Sequence, residues 1–252
     1  ATVNIYLILL CGLSNVLAST INSTTNFTNS NQISNNEMYS KAQAILNKSG
    51  VFQNFSLSEI ENWMHNISTW TAPKALDDSF QYYLAGHTDE NLPLWVIEIG
   101  KVKIRQIVTE GEAGKEFLDK SMQKLIKNVL QSILRNSSEE VSDFVAIMDF
   151  DGYRMSENIH FPTISYMQKL TQRYIHILDA CLQKAVVINA SYAVEVLINS
   201  NRPILGKLLE KVDVYGTNKR KWLPVLHKQF PADSLPPWYG GAKNFKPIKA
   251  FG

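Results

Sequence analysis

The stretch Gly111-Glu112-Ala113-Gly114-Lys115 has the glycine and lysine content of a loop that cradles phosphate. Such a loop needs wider glycine spacing, a Ser or Thr after the lysine and a strand leading into it. Here Glu116 follows the lysine and no strand pattern ends at Gly111, so phosphate chemistry is not indicated. Asp149 and Asp151 close an apolar run, the place where the sites of open α/β sheets gather. Without a phosphate motif or a histidine partner, they read as turn-forming and helix-capping carboxylates. His65, His87, His160, His176 and His227 are scattered, and none is spaced to share a metal with a Cys, His or carboxylate. There is no Gly-X-Ser-X-Gly elbow and no His-Glu-X-X-His. No catalytic residue, metal-ligand set or cofactor is indicated, and the expectation is that the protein is not an enzyme.

What the residues do supply is apolar surface, and its periodicity defines the elements. Segments 94–100, 144–149, 185–189 and 211–216 read as strands, and near-continuous apolar strands require burial on both faces, as in a parallel sheet. Between them lie helical stripes. Leu118, Met122, Leu125, Val129 and Ile133 form one over 112–134. Ile164, Met167, Leu170, Tyr174, Ile177 and Cys181 form another over 162–182, opened by Pro162. Shorter helices are expected over 191–199 and 203–210, and two more over 37–46 and from Ser56 onward, where a Ser N-cap precedes an early Glu. The stretch 73–86 reads as helical or irregular, and 86–91 as a polar turn. The segment 192–198 is apolar on nearly every side, which suits a buried helix or one whose second face closes a pocket. Strand–helix–strand alternation predicts an α/β fold with a mostly parallel sheet flanked by helices, preceded by a small N-terminal helical region.

With 252 residues and 28.5 kDa there is room for one well-buried α/β domain and a helical annex. Twenty-five Lys and Arg against 23 Asp and Glu give a net +2, which implies no broad footprint for nucleic acid. No residue before Glu37 is charged. Residues 1–18 hold a short apolar run and small residues at 16–18, the pattern of a signal peptide cleaved after Ala18. The missing basic residue and initiator methionine point to a start upstream of Ala1. Residues 19–36 contain fourteen Asn, Ser or Thr and read as a disordered linker. Glycosylation triplets begin at Asn22, Asn26, Asn47, Asn54, Asn66 and Asn136; a seventh, at Asn189, ends an apolar strand and should escape modification. Together these features predict a secreted glycoprotein, with a cytoplasmic location as the alternative. Without Cys11 the mature chain keeps only Cys181, a small core residue on its helix stripe.

Five segments, in order, resemble the CRAL-TRIO lipid-binding family. Leu92-Pro93-Leu94-Trp95-Val96 fits its first strand, and residues 145–152 resemble its strand and Asp-X-X-Gly turn. Residues 185–190 are similar to its central strand ending in Asn. Arg202-Pro203-Ile204-Leu205 with Lys211-Val212 and Gly216 resembles its Lys-Pro-Phe-Leu segment and next strand. Leu235-Pro236-Pro237-Trp238-Tyr239-Gly240-Gly241 resembles its closing motif. The resemblance runs over residues 80–241. It leaves 37–79 as the N-terminal helical region and 242–252 as a tail in which Phe245, Ile248 and Phe251 suggest partial docking.

The resemblance implies a sheet-floored hydrophobic pocket under a movable gate helix, holding one lipid-like ligand that the protein carries or exchanges between lipid surfaces. Pocket and gate positions are then Trp95, Ile97, Val145, Ile147, Val187, Asn189, Tyr192, Val194, Leu197, Ile198, Leu205 and Lys211. Phospholipid, tocopherol-like and retinoid-like ligands all fit the family. Members that grip phosphatidylinositol carry Tyr-Pro-Glu before the central strand; here those positions are Leu178, Asp179 and Ala180, so the glutamate that would pair with Lys211 is absent. The implied partners are the small hydrophobic ligand and, transiently, a membrane or lipid particle; no nucleic acid is expected, and the protein is expected to be a monomer. Two rival readings remain: a secreted protein-binding module, and a lipid-modifying enzyme without a recognisable catalytic motif.

Overall fold

The computed structural model describes residues 35–76, 79–135, 143–155, 160–200 and 202–251. The expected signal, most of the linker and the sequons at Asn22, Asn26 and Asn136 lie outside these residues. Eight helices are described: α1 (Asn35–Leu46), α2 (Leu57–Thr69), α3 (Ile104–Thr109), α4 (Glu112–Arg135), α5 (Phe161–Cys181), α6 (Tyr192–Ser200), α7 (Arg202–Leu205) and α8 (Lys219–Gln229). The strands are β1 (Tyr82–His87), β2 (Pro93–Ile97), β3 (Phe144–Asp149), β4 (Leu182–Ala190), β5 (Val212–Gly216) and β6 (Lys249–Phe251).

The strands form one mixed sheet in the order β5-β4-β3-β2-β1-β6. β2 to β5 are mutually parallel, while β1 runs antiparallel to both β2 and β6. The α/β fold and the N-terminal helical region are therefore as the alternation of patterns predicts. β3 is buried along its whole length and β4 along most of it, because helices cover both sides of the parallel part. One layer holds α1, α2, α4 and α5 with Trp95, Ala146, Met148, Ala185 and Val187 of the sheet. The other packs Trp222 and Leu226 of α8, with Phe230, Leu235 and Tyr239, on Leu94, Val96, Val145, Ile147, Val186 and Ile188.

Local chemistry explains the element boundaries. Ser56 caps α2 with a capping box: its hydroxyl accepts from Glu59 N, and the Glu59 carboxylate accepts from Ser56 N at 2.7 Å. Pro162 sits in the first turn of α5. Asn218 caps α8, accepting from Arg220 N at 3.0 Å.

One stretch departs from the expectation. Residues 82–87, read as helical or irregular and then turn, form β1. Ala85 and Gly86 have weak strand propensity, and both faces of the segment are covered, so no polar–apolar alternation marks it. Gly86 is required there, since a Cβ would lie 2.2 Å from Ser234 Oγ. The tail adds strand β6 to this edge, where the Phe251 ring stacks on Tyr82 at 4.9 Å.

The glycines of the phosphate-loop-like stretch have a structural cause. Gly114 lies inside α4, where a Cβ would meet Ile107 O of α3 at 1.8 Å, and Gly111 takes φ +75° at the turn between the helices. Lys115 pairs with Glu112 at 2.5 Å. The spacing serves helix–helix contact.

Candidate ligand site

The sheet face under α4 and α5 floors an apolar cavity of about 40 Å³. Ala146 and Ala185, direct partners across β3 and β4, supply the floor, and their short side chains leave the space. Leu125 and Val129 of α4 and Ile177 and Cys181 of α5 form the walls, and Leu208 closes one side from the 3-10 turn before β5. Trp95 and Ile97 line it from β2, and Trp95 is held by donation from its Nε1 to Ser132 Oγ at 3.1 Å. A site for a drug-sized ligand occupies roughly 300–1,000 Å³, so the cavity as it stands is too small to hold a lipid tail.

Of the expected pocket and gate residues, Trp95 and Ile97 line this cavity. Val187, Val194, Ile198 and Leu205 belong to the same apolar layer without bordering it. Val145 and Ile147 face the opposite layer, against Trp222 and Leu226 of α8, because successive strand residues point to opposite faces. The side chain of Leu197 lies outside the described residues. Tyr192 is 81% exposed at the start of α6. The residues that line the cavity from α4 and α5 belong to stripes visible in the sequence, but a helix stripe does not say whether it meets a packed core or a void.

The helix expected to act as a gate is α6. Val194 and Ile198, one turn apart, are buried, whereas Tyr192 and Val196 (44% exposed) face outward. The all-round apolar character of the segment therefore divides into an inner and an exposed outer face.

Asn189 and Lys211 have structural partners. Asn189 takes a left-handed backbone (φ 56°) at the end of β4, and its Nδ2 donates to Asp149 Oδ1 at 2.8 Å. Asp149 Oδ1 also accepts from Asp151 N at 2.8 Å, and Oδ2 accepts the buried Tyr239 hydroxyl at 2.7 Å. Asp149 is thus the hub that ties β3, β4 and the closing Leu-Pro-Pro-Trp-Tyr segment together. Burial, and then the nearby Asp149 carboxylate, hold the Tyr239 hydroxyl well above the ordinary tyrosine range. Lys211 Nζ donates to Asp179 O at 2.5 Å and lies 3.5 Å from its Oδ1, so the acid missing at 180 has a substitute one residue earlier.

Cys181 combines cavity wall and titratable group. Burial, reinforced by Asp143, pushes its thiol up to about 12, and its Sγ donates to Ile177 O at 3.0 Å. Against the ordinary value of 9.0 this lowers the thiolate fraction roughly a thousandfold, before access is considered. Iodoacetamide should therefore leave Cys181 unmodified in the folded protein and label it on unfolding, as read by mass spectrometry of the cysteine peptide. Labelling at the unfolded rate would show that the cavity stands open to solvent. Among the described residues no three His, Cys, Asp or Glu side chains are grouped to hold a metal ion.

A mixed sheet whose parallel part floors a helix-covered apolar cavity, beside a short half-exposed helix, sets the chain among the α/β proteins with helices on both faces of the sheet. The CRAL/TRIO domain matches residues 77–241, and the chain belongs to that family. Among solved structures, one titled "Crystal structure of Sfh5" superposes with a TM-score of 0.52 at 12% identity, over 82% of this chain and 72% of that one. At that identity the likeness speaks for the fold. No curated protein matches the chain. Membership of the family supports lipid binding at the level of the class.

Proposed function

We propose that the protein holds one lipid-like molecule in an enlarged form of the cavity above Ala146 and Ala185 and exchanges it at lipid surfaces. The observation that carries this reading is the pairing of two alanines across β3 and β4 under walls made of aliphatic side chains and one buried thiol. Each buried methylene contributes about 0.8 kcal/mol against water, so a tail of roughly 20 carbons is held by on the order of 16 kcal/mol gross, reduced by ordering. Against a membrane, where the tail is already dry, transfer is nearly balanced, which suits exchange limited by opening. The exposed Tyr192 and Val196 give α6 an outer face that a lipid surface can receive while Val194 and Ile198 leave theirs.

Secretion is part of the same proposal. Among the described residues, the sequon asparagines Asn47, Asn54 and Asn66 are all exposed, as attachment of a glycan requires. Native mass spectrometry of protein purified from a secreting eukaryotic host, followed by solvent extraction, tests both parts. The expected result is one lipid per monomer and added glycan mass. Protein with no extractable lipid would refute the carrier reading, and retention in the cytosol without glycan would refute the location.

A further inference from the structure

The charge of this chain is divided along its length. Residues 217–252 contain seven Lys or Arg and a single acid, Asp233, whereas the 216 residues before them contain 18 basic and 22 acidic side chains. The near-neutral total conceals a last seventh of the chain at net +6.

The fold gathers most of this excess in one layer. α8 and the segment after it cover the sheet face opposite the cavity, with Trp222, Leu226, Leu235 and Tyr239 turned inward and Phe245 6.2 Å from Tyr83. Lys219, Arg220, Lys221 and Lys228 of α8, with Lys243 and Lys246 after it, are left exposed. Among the described residues none of these six has a carboxylate within ion-pair distance. Lys219, Arg220 and Lys221 occupy the first turn of α8, which holds no acidic residue, and cations there oppose the helix dipole. Lys219 has the Trp222 ring 5.7 Å from its Nζ and Lys228 lies in the last turn, where the dipole favours it, but the dipole does not account for Arg220 and Lys221.

Apolar side chains stand among these cations. Trp238 is 53% exposed, and its carbonyl accepts from Lys219 Nζ at 2.9 Å. Ile248 is 58% exposed where the layer reaches β1. The first turn of α8 follows β5, and Trp238 precedes the tyrosine bonded to Asp149, so both lie at the carboxyl edge of the parallel strands. α6 begins at the same edge, after β4.

We propose that this layer docks the protein on an anionic lipid membrane, with the cations over the headgroups and Trp238 seated at the interface. The proposal rests on the carrier reading for its purpose, since the first turn of α8 and the start of α6 share one edge of the sheet. Lysine-rich clusters are drawn to anionic leaflets, and indole rings settle at the headgroup level. Exposed Trp and Ile side chains favour a membrane over a nucleic-acid duplex, whose backbone offers them no apolar phase.

Flotation with phosphatidylcholine vesicles, with and without phosphatidylserine, tests this for the full-length protein. Each cation near an anionic surface is worth about 1 kcal/mol, or about fivefold in affinity. The triple variant Arg220→Gln, Lys221→Gln, Lys228→Gln should therefore bind phosphatidylserine vesicles roughly 100-fold more weakly, and Trp238→Ala should weaken binding further. All four side chains are exposed, and the co-purified lipid of the variants, read by native mass spectrometry, should be unchanged. Equal binding of the unmodified protein to both vesicle types, or a triple variant that binds as it does, would overturn the proposal. So would retention on duplex DNA at an ionic strength where phosphatidylserine vesicles are not bound. Protein without extractable lipid that still binds anionic vesicles would sink the carrier reading and leave this surface standing.

Discussion

Ala146→Phe should empty the protein of its lipid, while Val145→Phe, one residue earlier on the same strand, should leave the lipid in place. Ala146 forms the cavity floor beside Ala185, and Val145 faces α8 from the other side of the sheet. A benzyl group on the floor of a 40 Å³ cavity fills it and props the walls around itself. If that denies burial to only four methylenes, the loss is about 3 kcal/mol, more than 100-fold in affinity. Overpacking costs about 1–3 kcal/mol at either site, so the two variants should lose similar amounts of thermal stability. Lipid extracted per mole of purified protein, read beside the melting temperature, separates occupancy from strain. Equal lipid content in the two variants would mean that the ligand does not sit over Ala146. The same substitution at Ala185 should repeat the result, since it is the cross-strand neighbour.

That pair of substitutions also marks how far the sequence could be read. β3 and β4 are visible because every residue from Phe144 to Met148 and from Ala185 to Ile188 is apolar. The same uniformity hides which alternate set faces the cavity. A strand covered on both sides shows no polar face, so Val145 and Ile147 are as plausible from pattern alone as Ala146 and Met148. Residue size is the remaining signal: Ala146 and Ala185 are the small members of their runs, and a depression forms where small residues meet. The stripes of α4 and α5 were legible for the ordinary reason that one face of each helix is buried. β1 was not, because its register is set by Gly86 fitting against Ser234, a contact across more than 140 residues. The basic layer does not show in the net charge, which averages over a chain whose two parts have opposite sign. Family spacing places the partner of Lys211 at position 180, and the acid that meets it is Asp179.

Asp149→Ala should be the most destabilising single change at the polar end of the sheet, and Tyr239→Phe should reproduce only part of it. Asp149 accepts three hydrogen bonds, from Tyr239, Asn189 and the Asp151 backbone, across a sequence separation of 90 residues. Removing the carboxyl leaves the buried Tyr239 hydroxyl and two partly buried N–H groups without their acceptor, at about 1–3 kcal/mol each. The solvation cost that the buried carboxyl itself carried is recovered, which brings the expected net loss to about 3–5 kcal/mol. For a chain of this size that is a fall in melting temperature of about 10 °C. Tyr239→Phe removes one of the three bonds and keeps the ring against Trp222, so about 1–2 kcal/mol, or some 4 °C, is expected. Asp149→Asn keeps an oxygen for Asn189 and Asp151 N and offers its amide to the Tyr239 oxygen, and should fall near the Tyr239→Phe value. Thermal unfolding of the three variants in one buffer gives the order. Equal losses from Asp149→Ala and Tyr239→Phe would mean that the bonds to Asn189 and Asp151 hold nothing, and that the closing segment alone depends on Asp149. The predicted order instead makes this carboxyl the joint between the central strands and the layer that carries Trp238 and the basic residues, so lipid site and docking surface would loosen together when it is removed.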